Sequence, residues 1–293
     1  MKIIPGEIKT GELHSYLLSA VAPRPICFAS TVDAAGHPNL SPFSFFNVFG
    51  SNPTTLIFSP ARRVRDNTTK HTFQNVLEVK EVVINVVNYA MVQQASLSSC
   101  EYPKGVDEFE KAGFTKLASE KVRPYRVAES PVQMECKVRD IIETGTEGGA
   151  ANLIICEILL MHINDDVLNE KKQIDPHKID LVARMGADFY CRASGAAVFE
   201  VAKPNTQLGI GIDALPESIR TSRILTGNDL GQLANVHEMP YVNPAFDDDK
   251  LRRIIQYYSI NPDEMDTELH RYAKELLEAG KVNEAWQILL ADY

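Results

Sequence analysis

Residues 61–75 read ARRVRDNTTKHTFQN, which gathers Arg63, Lys70, Thr72 and Asn75 into one short segment. Cations interleaved with hydroxyls and an amide suit a dianionic phosphate, because ionised donors make the shorter and stronger hydrogen bonds. Upstream, residues 39–51 read NLSPFSFFNVFGS, with Phe43, Phe45, Phe46 and Phe49 set among small polar side chains. Such a run can form a planar apolar slot with backbone groups free to bond a heterocycle's edge. Together the two segments fit a ligand that is flat and aromatic at one end and phosphorylated at the other. Taken singly, each has a plainer reading. The phenylalanines fit the core of a twisted strand, and Arg62, Arg63 and Arg65 fit a solvated face.

Other chemistry is not signalled. The seven histidines form no HxH or HxxxH pair, so they do not read as a zinc set. The five cysteines are scattered, odd in number and without a CxxC pair. That argues against a disulfide framework or a zinc site and for buried thiols in a reducing compartment. No GxSxG elbow is present. GTEGG at 145–149 lies between two strand-like runs and reads as a hairpin loop, because a phosphate cradle should open a helix. GIGID at 209–213 lacks the third glycine of a dinucleotide fingerprint, and Pro216 follows where a helix should run.

The elements that must position these residues follow from periodicity. Apolar and β-branched runs predict strands at 26–32, 55–59, 81–88, 132–142 and 151–163. AAGHP, with Gly36 and Pro38, predicts a hairpin turn. Helices are expected over 66–78 and 91–99, and a short one ending at Gly113. Residues 181–204 are expected to run from a loop into a last strand. Regular βαβ alternation is missing, which favours an antiparallel barrel with helices outside. In the tail, helices are expected at 250–259 and 266–279, then a last one capped by Asn283 and carrying Trp286. This pair is similar to a single tetratricopeptide-type hairpin, which cannot bury both faces alone. An extension packed on the barrel or on a second subunit is therefore expected. The division expected is 1–205 for the barrel and 206–293 for the extension, largely helical from about 247.

A net charge of −9 disfavours a general nucleic-acid binder. No apolar run reaches membrane-spanning length and the first residues lack a leader's apolar core, so a cytoplasmic protein is expected.

The stretch from APRPICFAST through SPFSFFN to KHTFQN resembles the flavin reductase-like family. YPKGVDEFEKAGF, AESPVQMEC and LVARMGADFYCR are similar to later landmarks of that family in the same order, so the resemblance covers roughly residues 10–205. It implies a mainly β fold with α additions, the Greek-key FMN-binding split barrel, usually a homodimer with FMN near the subunit interface. It implies hydride transfer from NAD(P)H to flavin, with the cofactor carrying the chemistry and no catalytic side chain named. A partner monooxygenase is the acceptor in some members. A flavin carrier or sensor without turnover is the alternative, and a split barrel for haem or pyridoxal phosphate a third reading. By resemblance Ser41, Phe43, Ser44, Phe46 and Asn47 line the flavin, and Phe58 and Ser59 end the next strand. Arg63, Lys70, Thr72 and Asn75 hold the phosphate and ribityl groups, while Arg184, Met185, Gly186 and Tyr190 close over the cofactor. The chain departs from the family at Thr54, where a second proline is common, and at His71, where an acidic residue often stands.

Overall fold

The computed structural model describes residues 1–203 and 207–291. They form two compact units, Met1–Phe199 and Glu200–Tyr293. The boundary expected at 205/206 lies outside the described residues.

In the first unit, helix α1 (Thr10–Ala20) precedes strands β1 (Cys27–Val32), β2 (Pro38–Phe43), β3 (Phe46–Ser51) and β4 (Thr54–Phe58). Helix α2 (His71–Glu78), strand β5 (Glu81–Val86) and helices α3 (Val92–Leu97) and α4 (Glu108–Ala112) follow. Then come β6 (Lys116–Leu117), β7 (Arg126–Val127), the long hairpin β8 (Val132–Glu143) and β9 (Asn152–Ile163), and the small hairpin β10 (Val182–Arg184) and β11 (Tyr190–Arg192). The main sheet has the order β2-β1-β5-β8-β9-β4-β3. β2 and β3 are its two edges, yet only Ser44 and Phe45 separate them in the chain. Two residues span at most about 7 Å, so the sheet must curl until its edges meet. That makes it a split barrel. Bulges at Leu159 in β9, opposite Glu135/Cys136, and at Arg139 in β8 supply local bending.

β1 is buried along its whole length because it is covered on both faces. Cys27 and Ala29 point into the barrel with Phe43, Phe58, Ile84, Cys136 and Cys156. Phe28 points outward into a second layer with Leu40, Met91, Phe109 and Phe114, where α3 and α4 pack.

Three expectations for the first unit are corrected. Helix 66–78 begins only at His71. Asp66 Oδ1 accepts from the backbone N–H and the hydroxyl of Thr68, and Asn67 takes a positive φ of 57°, so local side-chain bonds win over the helix. Residues 39–51 are two strands rather than one run, broken at Ser44 and Phe45. After 181 the strands are β10 and β11, turned at Gly186 and Ala187, and residues 193–203 carry none.

The second unit holds α5 (Glu217–Arg220), α6 (Gly227–Ala234), α7 (Asp249–Tyr257), α8 (Pro262–Glu278) and α9 (Val282–Leu289). Trp286 is fully buried, its Nε1 donating to the Leu233 carbonyl at 3.3 Å, so α6 covers a face that the α8–α9 hairpin alone would expose. α6 starts with a reciprocal capping box between Thr226 and Asp229, a T-x-x-D signal in the sequence. Asn283 lies inside α9, whose N-cap is Lys281. No helix among the described residues is long and apolar enough to cross a membrane.

Candidate functional site

A cleft of about 380 Å³ opens where β2 ends, between Pro42, Phe43 and Ser44 on one side, α3 on a second and the β10–β11 hairpin on a third. Phe43 packs against Phe58 at 5.6 Å between ring centres, which fixes the cleft wall to the barrel core. The Arg184 guanidinium lies over the Tyr190 ring at 4.6 Å, and its Nη2 donates to the Ala187 carbonyl at 2.8 Å.

Arg24 assembles this end. It is buried, and its Nη1 donates to the carbonyls of Leu18 and Val21 at the end of α1. Its Nη2 donates to the Met185 carbonyl at 2.9 Å and its Nε to Ser44 Oγ at 3.3 Å. Its backbone exchanges two 2.9 Å bonds with Arg184. One guanidinium therefore satisfies helix-end carbonyls and ties the hairpin to the turn between β2 and β3. Burial, then the nearby Arg184 charge, pushes its pKa down. Gly186 is fixed by the same approach of α1: a Cβ there would lie 2.2 Å from Ser19 Oγ.

The second half of the groove is polar and basic. Ser41, Arg63, Lys70, His71, Thr72, Ser98, Glu101 and Glu108 line it. It shares no lining residue with the cleft but lies beside it, since Ser41 precedes Pro42 and Ser98 precedes Ser99 in the chain, the second of each pair lining the cleft. Lys70 is the N-cap of α2 and offers no side-chain cap. No described hydrogen bond engages the backbone N–H groups of His71 and Thr72, and no described carboxylate pairs with Lys70. Burial, then Arg63, lowers the Lys70 pKa, and Glu101 partly opposes them. Behind the lysine, Thr72 Oγ1 donates to Asn39 Oδ1 at 2.8 Å, and Asn39 Nδ2 donates to Glu108 Oε1 at 2.9 Å. Glu108 also accepts from Leu40 N–H, yet burial outweighs these bonds and raises its carboxyl. Arg63 Nε pairs with Glu101 at 2.8 Å, and its Nη1 donates to Thr68 Oγ1 and the Thr69 carbonyl.

The groove thus gathers Ser41, Phe43, Ser44, Arg63, Lys70, Thr72, Arg184 and Tyr190. The other expected residues lie off its lining. Phe46 packs on the barrel core and Phe58 is wholly inside it. Asn47 is exposed, accepting from Val48 N–H at 2.8 Å. Ser59 is buried, its Oγ accepting from Asn152 N–H at 3.1 Å. Asn75 donates to Thr31 Oγ1 at 3.1 Å, and Met185 and Gly186 serve the hairpin. Sequence reasoning missed Arg24, Asn39, Glu101 and Glu108. Arg24 stands in the APRPICF segment, but its partner Met185 is 161 positions away, so no local signal marks it.

The barrel thus closes at a two-residue turn beside an aromatic-walled cleft and a basic pocket in which Arg63 is paired with Glu101 and Lys70 has no described carboxylate partner. The chain belongs to the flavin reductase-like family: the Flavin reductase like domain matches residues 19–178, wholly within the first unit. An uncharacterised protein of Aquifex aeolicus (strain VF5) is 34% identical over 201 residues, 69% of this chain and all of that one. Nitrilotriacetate monooxygenase component B from Bacillus cereus superposes with a TM-score of 0.64 at 25% identity, covering 69% of this chain and 98% of that one. A putative flavin reductase with split barrel domain from Shewanella frigidimarina NCIMB 400 gives 0.57 at 26% identity, covering 67% and 96%.

Proposed function

We propose that this protein binds FMN along the groove and transfers hydride from NAD(P)H to the flavin. The observation that carries the reading is Lys70, a partly buried ammonium without a described carboxylate partner, beside the uncapped N-terminus of α2. A phosphate there would gain a charge-assisted bond and two free backbone N–H groups. The cleft, at about 380 Å³, falls within the rough 300–1,000 Å³ range of small-ligand sites. Phe43 and Tyr190 offer flat walls and Ser44 a hydroxyl, which suits an isoalloxazine. When bound, the flavin would supply the redox chemistry. Arg63, Lys70 and Thr72 would hold its phosphate, Phe43 and Ser44 would orient its ring, and the β10–β11 hairpin would shield it from water.

The family resemblance and exposed apolar side chains support a homodimer: Val48 and Phe49 on β3, and Leu159, Met161 and Ile163 on β9. Five free cysteines suit the cytoplasm, and a monooxygenase partner is one acceptor for reduced flavin. The test is the visible spectrum with FMN added, followed by anaerobic NADH or NADPH. Flavin bands that bleach support the reading and give the nucleotide preference. Bound flavin that stays oxidised points to a carrier, and no flavin binding overturns it.

A further inference from the structure

The cation that should meet the ligand phosphate already holds an anion. Glu101 Oε1 pairs with Arg63 Nε and its Oε2 with Arg65 Nη2, both at 2.8 Å. Arg63 Nη1 is committed to Thr68 and Thr69, which leaves Nη2 as the nitrogen with no described partner. Glu101 lines the same pocket as Lys70 and Thr72. Its carboxylate is held by these two arginines, with no described hydrogen bond from backbone or hydroxyl, and its side chain is 46% exposed. It can swing outward on Arg65 without leaving a buried polar group unpaired.

We propose that Glu101 is an internal stand-in for the ligand phosphate: it occupies Arg63 in the free protein, is displaced when phosphate binds, and thereby weakens FMN binding so that the flavin exchanges. This rests on the flavin reading above and deepens it, since it makes FMN a substrate that enters and leaves. The carboxylate takes one N–H from each of two guanidinium groups, and such ionised donors would serve a phosphate oxygen equally well. A phosphate anion and the carboxylate therefore compete for one donor.

The experiment is fluorescence titration of the full chain with FMN and with riboflavin, which lacks the phosphate, in the wild type, Glu101→Gln and Glu101→Asp. Glu101→Gln should bind FMN about fivefold tighter, the upper range for a partly exposed ion pair, and release it more slowly in stopped flow, with riboflavin unchanged. Glu101→Asp keeps the charge but is too short to bridge both arginines, so it should also tighten FMN. Unchanged FMN affinity in Glu101→Gln overturns the proposal. So does equal tightening of riboflavin, and so does an Asp variant that behaves as wild type, because then charge alone is at work. Failure of the wild type to bind either flavin overturns the flavin reading itself, and this inference with it.

Discussion

The two ends of the groove are built by opposite means. The open end depends on one buried guanidinium, Arg24, whose partners come from α1, the turn after β2 and a hairpin far along the chain. The basic end takes its cations from one short segment, residues 63–72, with Asn39 and Glu108 behind it and Glu101 beside it. The difference teaches where binding strength and shape reside. The basic end can lose a charge and keep its fold, because its cations are partly solvated. The open end should suffer more from losing its cation, because no other described hydrogen bond engages the carbonyls of Leu18, Val21 and Met185.

The largest expected effect is therefore at Arg24. Arg24→Ala strands the carbonyls of Leu18, Val21 and Met185 and should cost about 3 kcal/mol in urea unfolding, given the strength of hydrogen bonds to buried charged groups. It should weaken riboflavin and FMN alike, since shape is lost and the proposed phosphate contacts are untouched. Wild-type stability in this variant would show that the guanidinium is replaceable by water.

Lys70→Ala should do the reverse. Stability should change little, while FMN binding weakens by about 2 kcal/mol, roughly thirtyfold, the worth of a charge-assisted bond. Riboflavin affinity should not move. An equal loss for both flavins would place the phosphate elsewhere and erase the contrast between the ends.

These variants also mark what was legible in the sequence. Lys70 and Arg63 could be singled out because their chemistry is written in one segment of cations and hydroxyls. The barrel was legible through β-branched runs and missing βαβ alternation. Arg24 was not legible, since its role exists only once α1 and residue 185 meet. Glu101 was hidden for a related reason: it is an ordinary surface acid until residues 63 and 65 fold beside it. α2 starts later than periodicity predicts because Asp66 bonds the backbone and hydroxyl of Thr68, a competition that periodicity does not register.

Gly186 sharpens the picture of the open end. In Gly186→Ala the new methyl meets Ser19 Oγ at 2.2 Å and Ser19 Cα at 3.1 Å, so α1 or the hairpin must move. Overpacking of this kind costs about 1–3 kcal/mol, and about 1.5 kcal/mol is expected here. Ser19→Ala in the same chain removes the nearest atom and should recover part of the loss. No recovery would mean that the backbone, rather than the hydroxyl, sets the spacing.

The smallest effect is in pH, and it belongs to the basic end alone. Burial and Arg63 hold the Lys70 pKa below the usual lysine range. A phosphate dianion binds the protonated lysine better, so binding must raise that pKa again and take up a proton. FMN affinity should then fall as pH rises through the lowered Lys70 pKa of the free protein, and level off above the pKa of the complex. On the acid side it should fall again as the phosphate becomes a monoanion near pH ~6. Lys70→Arg keeps its charge throughout and should remove the alkaline limb while leaving the acid one. Riboflavin serves as the reference, because any pH effect it shares with FMN arises at the ring end. If riboflavin and FMN fall together at high pH, Lys70 is not the group that titrates, and the phosphate is held by Arg63 and the N–H groups of α2.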